Sequence, residues 1–65
     1  MQTESTFNYD VPLEKFQALP TPRIIAWFHE AQLELEKLRE SGNEELKDIL
    51  VHSMERAQQV YNSRY

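Results

Sequence analysis

The chain has 65 residues, no cysteine, seven basic and eleven acidic residues, and a formal net charge of -4 at pH 7. A chain of this length forms one domain with a marginal core, since it buries only about 60% of the surface that its unfolded form exposes. The absence of cysteine excludes disulfides and thiolate zinc sites, and the acidic balance disfavours nucleic-acid phosphates and suits a basic partner.

The first ten residues predict a polar arm, 1–10, that is flexible unless the rings of Phe7 and Tyr9, its only large apolar side chains, dock on the rest of the domain. They contain neither the basic region nor the apolar run of a signal peptide. No stretch of the chain approaches the roughly 20 apolar residues that span a bilayer. We therefore expect a cytoplasmic protein that does not bind membranes.

The remaining residues, 11–65, predict a single helical domain that starts with a short helix over 12–19. Asp10 is suited to cap this helix, apolar residues recur at every third position, and Pro20 ends it.

A long helix is predicted over 22–40. Thr21 is a good N-cap, and Pro22 is preset for the first helical position. The apolar residues of this helix alternate steps of four and three, which places them on one narrow stripe: Ile24, Phe28, Ala31, Leu35 and Leu38.

The only glycine lies in the segment LRESGNEELKD and predicts a tight turn over 41–43. Gly42 can take the left-handed conformation that ends a helix, and Asn43 can cap the next helix, predicted over 44–62. A broader stripe follows on that helix: Leu46, Ile49, Leu50, Ser53, Met54, Ala57, Val60 and Tyr61. The predicted fold is all-α, an antiparallel helical hairpin with a short N-terminal helix packed across it.

Negative charge is concentrated at the turn, and we call Glu40, Glu44, Glu45 and Asp48 the acidic tip. With Lys47, these residues give 40–48 a net charge of -3, whereas 49–65 carry +1. One interpretation is purely local, because acids favour a helix N-terminus and exposed charge aids solubility. The functional interpretation is that the acidic tip binds a basic surface of a larger protein.

Two aliphatic residues point away from the predicted seam of the hairpin. On a helical wheel, Leu33 lies about 180° and Val51 about 120° from the centre of its own stripe. Folding about Gly42 puts both at one height, and with Ile25 they form a predicted partner-binding surface. The alternative is that they are ordinary exposed residues. Because the core is marginal, we expect either a homodimer, as a four-helix bundle, or docking on a partner.

Few residues could carry out chemistry. His29, Glu30, His52 and Glu55 could hold a metal between facing helices, but such sites need more inward carboxylates, and both histidines lie at stripe edges. The chain has no Gly-rich phosphate loop, and helices of this size offer little concavity for a nucleophile and its base. We predict no metal, no cofactor and no enzymatic activity.

A short acidic helical hairpin that dimerises into four helices resembles, in architecture alone, the Rop-like plasmid regulators. The prolines Pro12, Pro20 and Pro22 have no counterpart in that pattern. Small acidic proteins are also common as phage-encoded inhibitors of host machinery, which is an association and not a match. The sequence thus predicts an interaction module that regulates or inhibits a larger protein. The alternatives are a structural subunit that assembles into a four-helix dimer and a metal-dependent enzyme.

Overall fold

A computed structural model describes residues 7–64, and all regular secondary structure in them is α-helical. The helices are α1 (Leu13–Ala18), α2 (Thr21–Ser41) and α3 (Glu44–Ser63). No strand occurs in these residues, so the prediction of an all-α fold is confirmed. Of the predicted arm 1–10, residues 1–6 lie outside the described part. In residues 7–10, the rings of Phe7 and Tyr9 are docked on the core, which is the condition under which the sequence predicts an ordered arm.

A two-residue turn, Gly42 and Asn43, joins α2 to α3. Gly42 has φ 75° and ψ 21°, the left-handed conformation that glycine adopts without steric cost. The N–H of Gly42 donates to the carbonyl of Arg39 at 3.3 Å, and that of Asn43 to the carbonyl of Leu38 at 3.1 Å. This pair of bonds is the Schellman motif, which satisfies free carbonyls at the end of α2. The Asn43 side chain accepts from the N–H of Leu46 at 3.3 Å and so caps α3.

The starts of α1 and α2 differ from the predicted ones. A proline precedes each helix and supplies no side-chain cap. Asp10, predicted to cap α1, instead accepts a hydrogen bond from Arg56 at 3.4 Å. Thr21, predicted to cap α2, lies inside that helix, and its hydroxyl accepts from Arg64 at 3.0 Å. Both side chains therefore bind arginines that are distant in sequence, and neither caps a helix.

Two hydrophobic clusters form the core. The first lies far from the turn and consists of Val11, Phe16, Ile24, Ala57 and Val60. The second lies nearer the turn and consists of Ala31, Leu38 and Leu50. Trp27 packs against both clusters and connects them. Because Val11 and Phe16 are buried, α1 and the residues before it are part of the core.

Candidate functional site

One side of the α2–α3 pair is covered by residues 7–19, called here the N-terminal segment. Ser53 of α3 is fully buried and bonds twice to this segment. Its hydroxyl donates to the carbonyl of Tyr9 at 2.7 Å and accepts from the N–H of Val11 at 3.0 Å. Arg56, about one turn further on, donates to the carbonyl of Val11 at 2.9 Å. These bonds satisfy backbone groups that burial would otherwise leave unpaired.

Arg64 secures the other end of the N-terminal segment. Its guanidinium donates to the carbonyls of Phe16 at 3.3 Å and Gln17 at 3.1 Å, and to the hydroxyl of Thr21. The last carbonyls of a helix have no partner within that helix, and Arg64 supplies partners near the end of α1. Arg56 and Arg64, the two bases that give residues 49–65 their net charge of +1, thus form hydrogen bonds within the molecule.

Aromatic side chains of the N-terminal segment pack around Trp27. The ring of Phe7 stacks on the indole with centroids 5.5 Å apart, and it meets the ring of Tyr9 edge-on at 5.1 Å. Phe16 contacts the indole edge-on at 4.9 Å. The indole Nε1 is buried and has no hydrogen-bond partner among residues 7–64, so packing holds the ring in place. Because the chain has one tryptophan, its fluorescence reports on the N-terminal segment.

The hydroxyl of Tyr9 donates to Glu34 Oε1 of α2 at 2.9 Å. This hydrogen bond raises the pKa of Tyr9 above its ordinary value of 10.0, and partial burial and the negative charge of Glu34 act in the same direction. The neutral phenol is therefore favoured in the folded protein. Glu34 also forms a salt bridge with Lys37 of α2 at 3.6 Å, so its carboxylate contacts both Tyr9 of the N-terminal segment and a base on its own helix.

Tyr9→Phe is expected to lower the free energy of unfolding by about 1 kcal/mol at neutral pH, the usual net value of one hydrogen bond. Since the pKa of Tyr9 is higher in the folded than in the unfolded chain, its contribution is complete below pH 10 and is lost as the pH rises through the folded-state pKa. Urea unfolding of both proteins from pH 8 upward measures this. The difference should shrink above about pH 10, and a constant difference would contradict the assignment.

A second surface lies between α2 and α3 and is formed by two adjoining hollows that share Phe28 and Gln58. The first, of about 190 Å³, is lined by Ile24, Ile25, Phe28, His29, Gln32, Ala57, Gln58 and Tyr61. The second is more open, about 300 Å³, and is lined by Phe28, Leu35, Val51, Met54, Glu55 and Gln58. We call the two hollows together the α2–α3 groove.

The α2–α3 groove presents apolar side chains that the monomer does not fully bury. Ile25 is 50% exposed. The others that are partly exposed are Phe28, Leu35, Val51, Met54 and Tyr61. Exposed polar groups lie among them, including His29, Glu55 and Gln58. Contiguous apolar surface with a polar rim is typical of a site that binds another molecule.

The structure divides the predicted apolar partner-binding surface. Ile25 and Val51 both line the α2–α3 groove, one in each hollow. Leu33 is 58% exposed and lines neither hollow. It lies five residues after Phe28, which turns it by about 140° around α2. Leu33 is thus outside the two hollows that Ile25 and Val51 line, and it provides a control for substitutions in the groove.

The four acids of the acidic tip are all exposed. Glu44 pairs with Lys47 at 3.6 Å, and the other three form no salt bridge with any residue between 7 and 64. Glu44 and Asp48 precede Val51 by seven and three residues, so they lie on the same side of α3 as the groove. Lys47 lies four residues before Val51, and Arg39 lies four residues after Leu35, so the end of the groove beside the turn is bordered by charges of both signs.

The four residues that the sequence suggests as possible metal ligands, His29, Glu30, His52 and Glu55, do not form one cluster. His29 lies in the first hollow and Glu55 in the second, while Glu30 and His52 are exposed and line neither. Within residues 7–64, no group of three or more His, Asp or Glu side chains is placed to hold a metal ion.

Comparison with protein-family models, with curated proteins and with solved structures finds no match for this chain. In the part of the chain that the structure describes, no helix has the length and hydrophobicity needed to span a bilayer. Function is therefore inferred from the groove, its charges and the N-terminal segment.

The apolar stripes predicted from sequence include Phe28, Leu35, Met54 and Tyr61, but the stripes alone do not indicate that these residues line an exposed surface. One feature of the sequence does indicate an exposed apolar surface, namely the width of the apolar stripe on α3. Its residues span a wider arc than one neighbouring helix covers, so some must face another element or solvent. The sequence did not indicate which ones.

Proposed function

We propose that this chain is a small, acidic, non-enzymatic interaction module, an antiparallel helical hairpin that regulates or inhibits a larger protein by binding it through the α2–α3 groove. The observation that carries the proposal is an apolar groove between two helices whose other side is already occupied by the N-terminal segment. The acidic tip at one end of the groove supports a basic surface on the partner.

Burial of the groove supplies the main driving force. A Val, Leu, Ile, Phe or Met side chain contributes about 1.5–3 kcal/mol when it passes from fully exposed to fully buried, and each groove residue can supply part of this. Association costs about 4–15 kcal/mol in lost freedom of motion, so several side chains must be covered together. Attraction by the acidic tip would act mainly on the association rate.

The competing function is a structural subunit that assembles into a four-helix dimer, because a second copy could bury the same side chains. Each copy carries a net charge of -4, so charge opposes self-association and favours a partner with a basic surface.

Affinity capture from a lysate of the host organism, read by quantitative mass spectrometry, tests this function. The tagged protein is compared with the double variant Ile25→Gln, Val51→Gln and with Leu33→Gln as control. Ile25 and Leu33 are 50% and 58% exposed, so replacing either one with glutamine should change the stability of the monomer by a similar amount. Circular dichroism first establishes that all three proteins remain helical.

We expect one partner to be retained by the wild type and the Leu33→Gln control and to fall about tenfold or more in the groove variant, as for loss of an interface hot spot. Equal retention by the groove variant would show that the groove does not bind the partner. Retention of no protein by the wild type would contradict the proposed function itself.

A further inference from the structure

Side chains, and not backbone pairing, hold the N-terminal segment on the α2–α3 pair. Within residues 7–64, no hydrogen bond joins a backbone group of 7–19 directly to a backbone group of 20–64. The polar contacts between these two parts all use at least one side chain, from the set Tyr9, Asp10, Glu34, Ser53, Arg56 and Arg64. The segment can therefore leave the pair without breaking any backbone hydrogen bond of α2 or α3.

The connection between the N-terminal segment and α2 is suited to act as a hinge. Leu19 and Pro20 are both extended, with ψ 145° and 154°. The N–H of Leu19 donates back to the carbonyl of Phe16 at 3.1 Å, whereas the carbonyl of Pro20 accepts from Arg23 and Ile24 of α2. Because Pro20 has no N–H, α1 does not continue into α2, and the backbone bonds on the two sides of the hinge are independent.

The α2–α3 pair has structural support that does not involve the N-terminal segment. The left-handed turn at Gly42 and the cap at Asn43 use only groups of α2, α3 and the turn. The buried residues of the second core cluster, Ala31, Leu38 and Leu50, all belong to the pair. By contrast, α1 has six residues, and an isolated helix shorter than about 12 residues is marginal in water. Release should thus unfold the segment and leave the pair helical.

The closed arrangement leaves one polar group without a partner. The indole Nε1 of Trp27 is buried and has no hydrogen-bond acceptor among residues 7–64. The rings of Phe7 and Phe16 contact this indole from the N-terminal segment. When these rings leave, water can accept from the indole N–H, so the closed state carries a desolvation cost that the open state does not. This cost favours opening.

We propose that the N-terminal segment opens and closes on the α2–α3 pair as one unit, about Leu19–Pro20, while α2 and α3 stay folded. Opening exposes Trp27 and Val60, which pack against the segment in the closed state. The molecule then has one apolar surface that is accessible in both states, the α2–α3 groove, and a second that is accessible only in the open state. This device lies within a single chain and does not rest on the proposed function.

Native-state hydrogen exchange, followed by NMR in low concentrations of urea, tests the proposal on the purified protein. Val11 and Leu19 report on the N-terminal segment, because the N–H of each forms a hydrogen bond. Ala31 and Leu50 are buried in the second core cluster and report on the α2–α3 pair. The urea dependence of each exchange rate measures how much surface is exposed by the opening that permits exchange.

Relative to their rates in an unstructured peptide, the amides of Val11 and Leu19 should exchange at least about tenfold faster than those of Ala31 and Leu50. The two segment amides should share one urea dependence, because a single opening exposes both. That dependence should be greater than zero and smaller than that of Ala31 and Leu50, which exchange only when the pair unfolds.

Gly42→Ala separates opening of the segment from unfolding of the pair. A side chain at φ 75° strains the turn, and nothing lies within 4 Å of the added Cβ apart from the chain neighbours. The turn is present in both the closed and the open state. The substitution should therefore speed exchange at Ala31 and Leu50 by about fivefold or more and change it at Val11 and Leu19 by less than about twofold.

Arg64→Gln tests the closing contacts, and Arg39→Gln is its matched control. Both arginines are exposed, and each substitution removes one positive charge. Arg64 donates to two carbonyls of the N-terminal segment, whereas the side chain of Arg39 has no hydrogen bond or salt bridge with any residue between 7 and 64. Exchange at Val11 and Leu19 should become about fivefold or more faster in Arg64→Gln and change less than about twofold in Arg39→Gln.

Three results would overturn the proposal. All four amides of the wild type could show the same protection and the same urea dependence, which would make the chain one cooperative unit. Gly42→Ala could speed exchange at all four alike, with the same meaning. Exchange at Val11 and Leu19 could be independent of urea, which would show local fraying and not the opening of a segment. None of these results changes the outcome expected from affinity capture, so this proposal and the proposed function are tested separately.

Discussion

Replacing Phe16 with alanine is expected to lower the free energy of unfolding by about 3–5 kcal/mol. Phe16 is fully buried and packs with residues of both long helices, including Ile24 and Val60. Loss of its edge-on contact with Trp27 removes about 0.5–1.5 kcal/mol beyond the area that is exposed. In a chain of 65 residues with a marginal core, this is a large part of the total stability.

Urea unfolding followed by circular dichroism and by Trp27 fluorescence measures the loss at Phe16. Leu33→Ala is the control, because Leu33 is 58% exposed and its truncation should change stability by no more than about 0.5 kcal/mol. A Phe16→Ala protein as stable as the control would show that α1 does not contribute to the core.

Replacing Ser53 with alanine is expected to cost about 2–3 kcal/mol, although only one oxygen atom is removed. That hydroxyl is the partner of two backbone groups, the N–H of Val11 and the carbonyl of Tyr9. The N–H of Val11 lies in a buried residue, where water does not readily replace the lost acceptor. The N-terminal segment should then be held less firmly, and Trp27, which stacks on Phe7, should emit at a longer wavelength.

Ser63→Ala is the matched control for Ser53→Ala. The hydroxyl of Ser63 donates only within α3, to the carbonyl of Val60 at 2.8 Å, and the residue is exposed. Its loss should cost no more than about 0.5 kcal/mol. Equal stability of the two variants, with unchanged Trp27 emission, would contradict the anchoring role of Ser53.

The anchored N-terminal segment matters for function because it leaves the two sides of the α2–α3 pair unequal. Ser53, Arg56 and Arg64 hold the N-terminal segment on one side. The groove on the other side is lined by α2 and α3 alone. The variants of Ser53 and of the groove therefore separate stability from partner binding, since Ile25 and Val51 take part in none of the hydrogen bonds that hold the N-terminal segment.

The all-α class could be predicted from sequence because its signals are local. The apolar stripes of period 3.6, the positive φ available to Gly42 and the capping oxygen of Asn43 each act within about one helical turn. The concentration of acids around the turn is likewise a property of composition and needs no tertiary structure.

Only the tertiary structure decided how the N-terminal segment is held and where the free apolar surface lies. Asp10 and Thr21 have the side chains of good caps, yet both accept hydrogen bonds from arginines more than 40 residues away. In the sequence, Ser53 is only a polar residue on an apolar stripe. The structure shows that its hydroxyl forms hydrogen bonds with the backbone of Tyr9 and Val11. The rotation of each helix about its axis decides which apolar residues are buried. It buries Leu50 and leaves Val51 partly exposed in the groove, and it places Leu33 outside the groove. That rotation is fixed by packing among all the elements together, which a periodic pattern in one helix cannot specify.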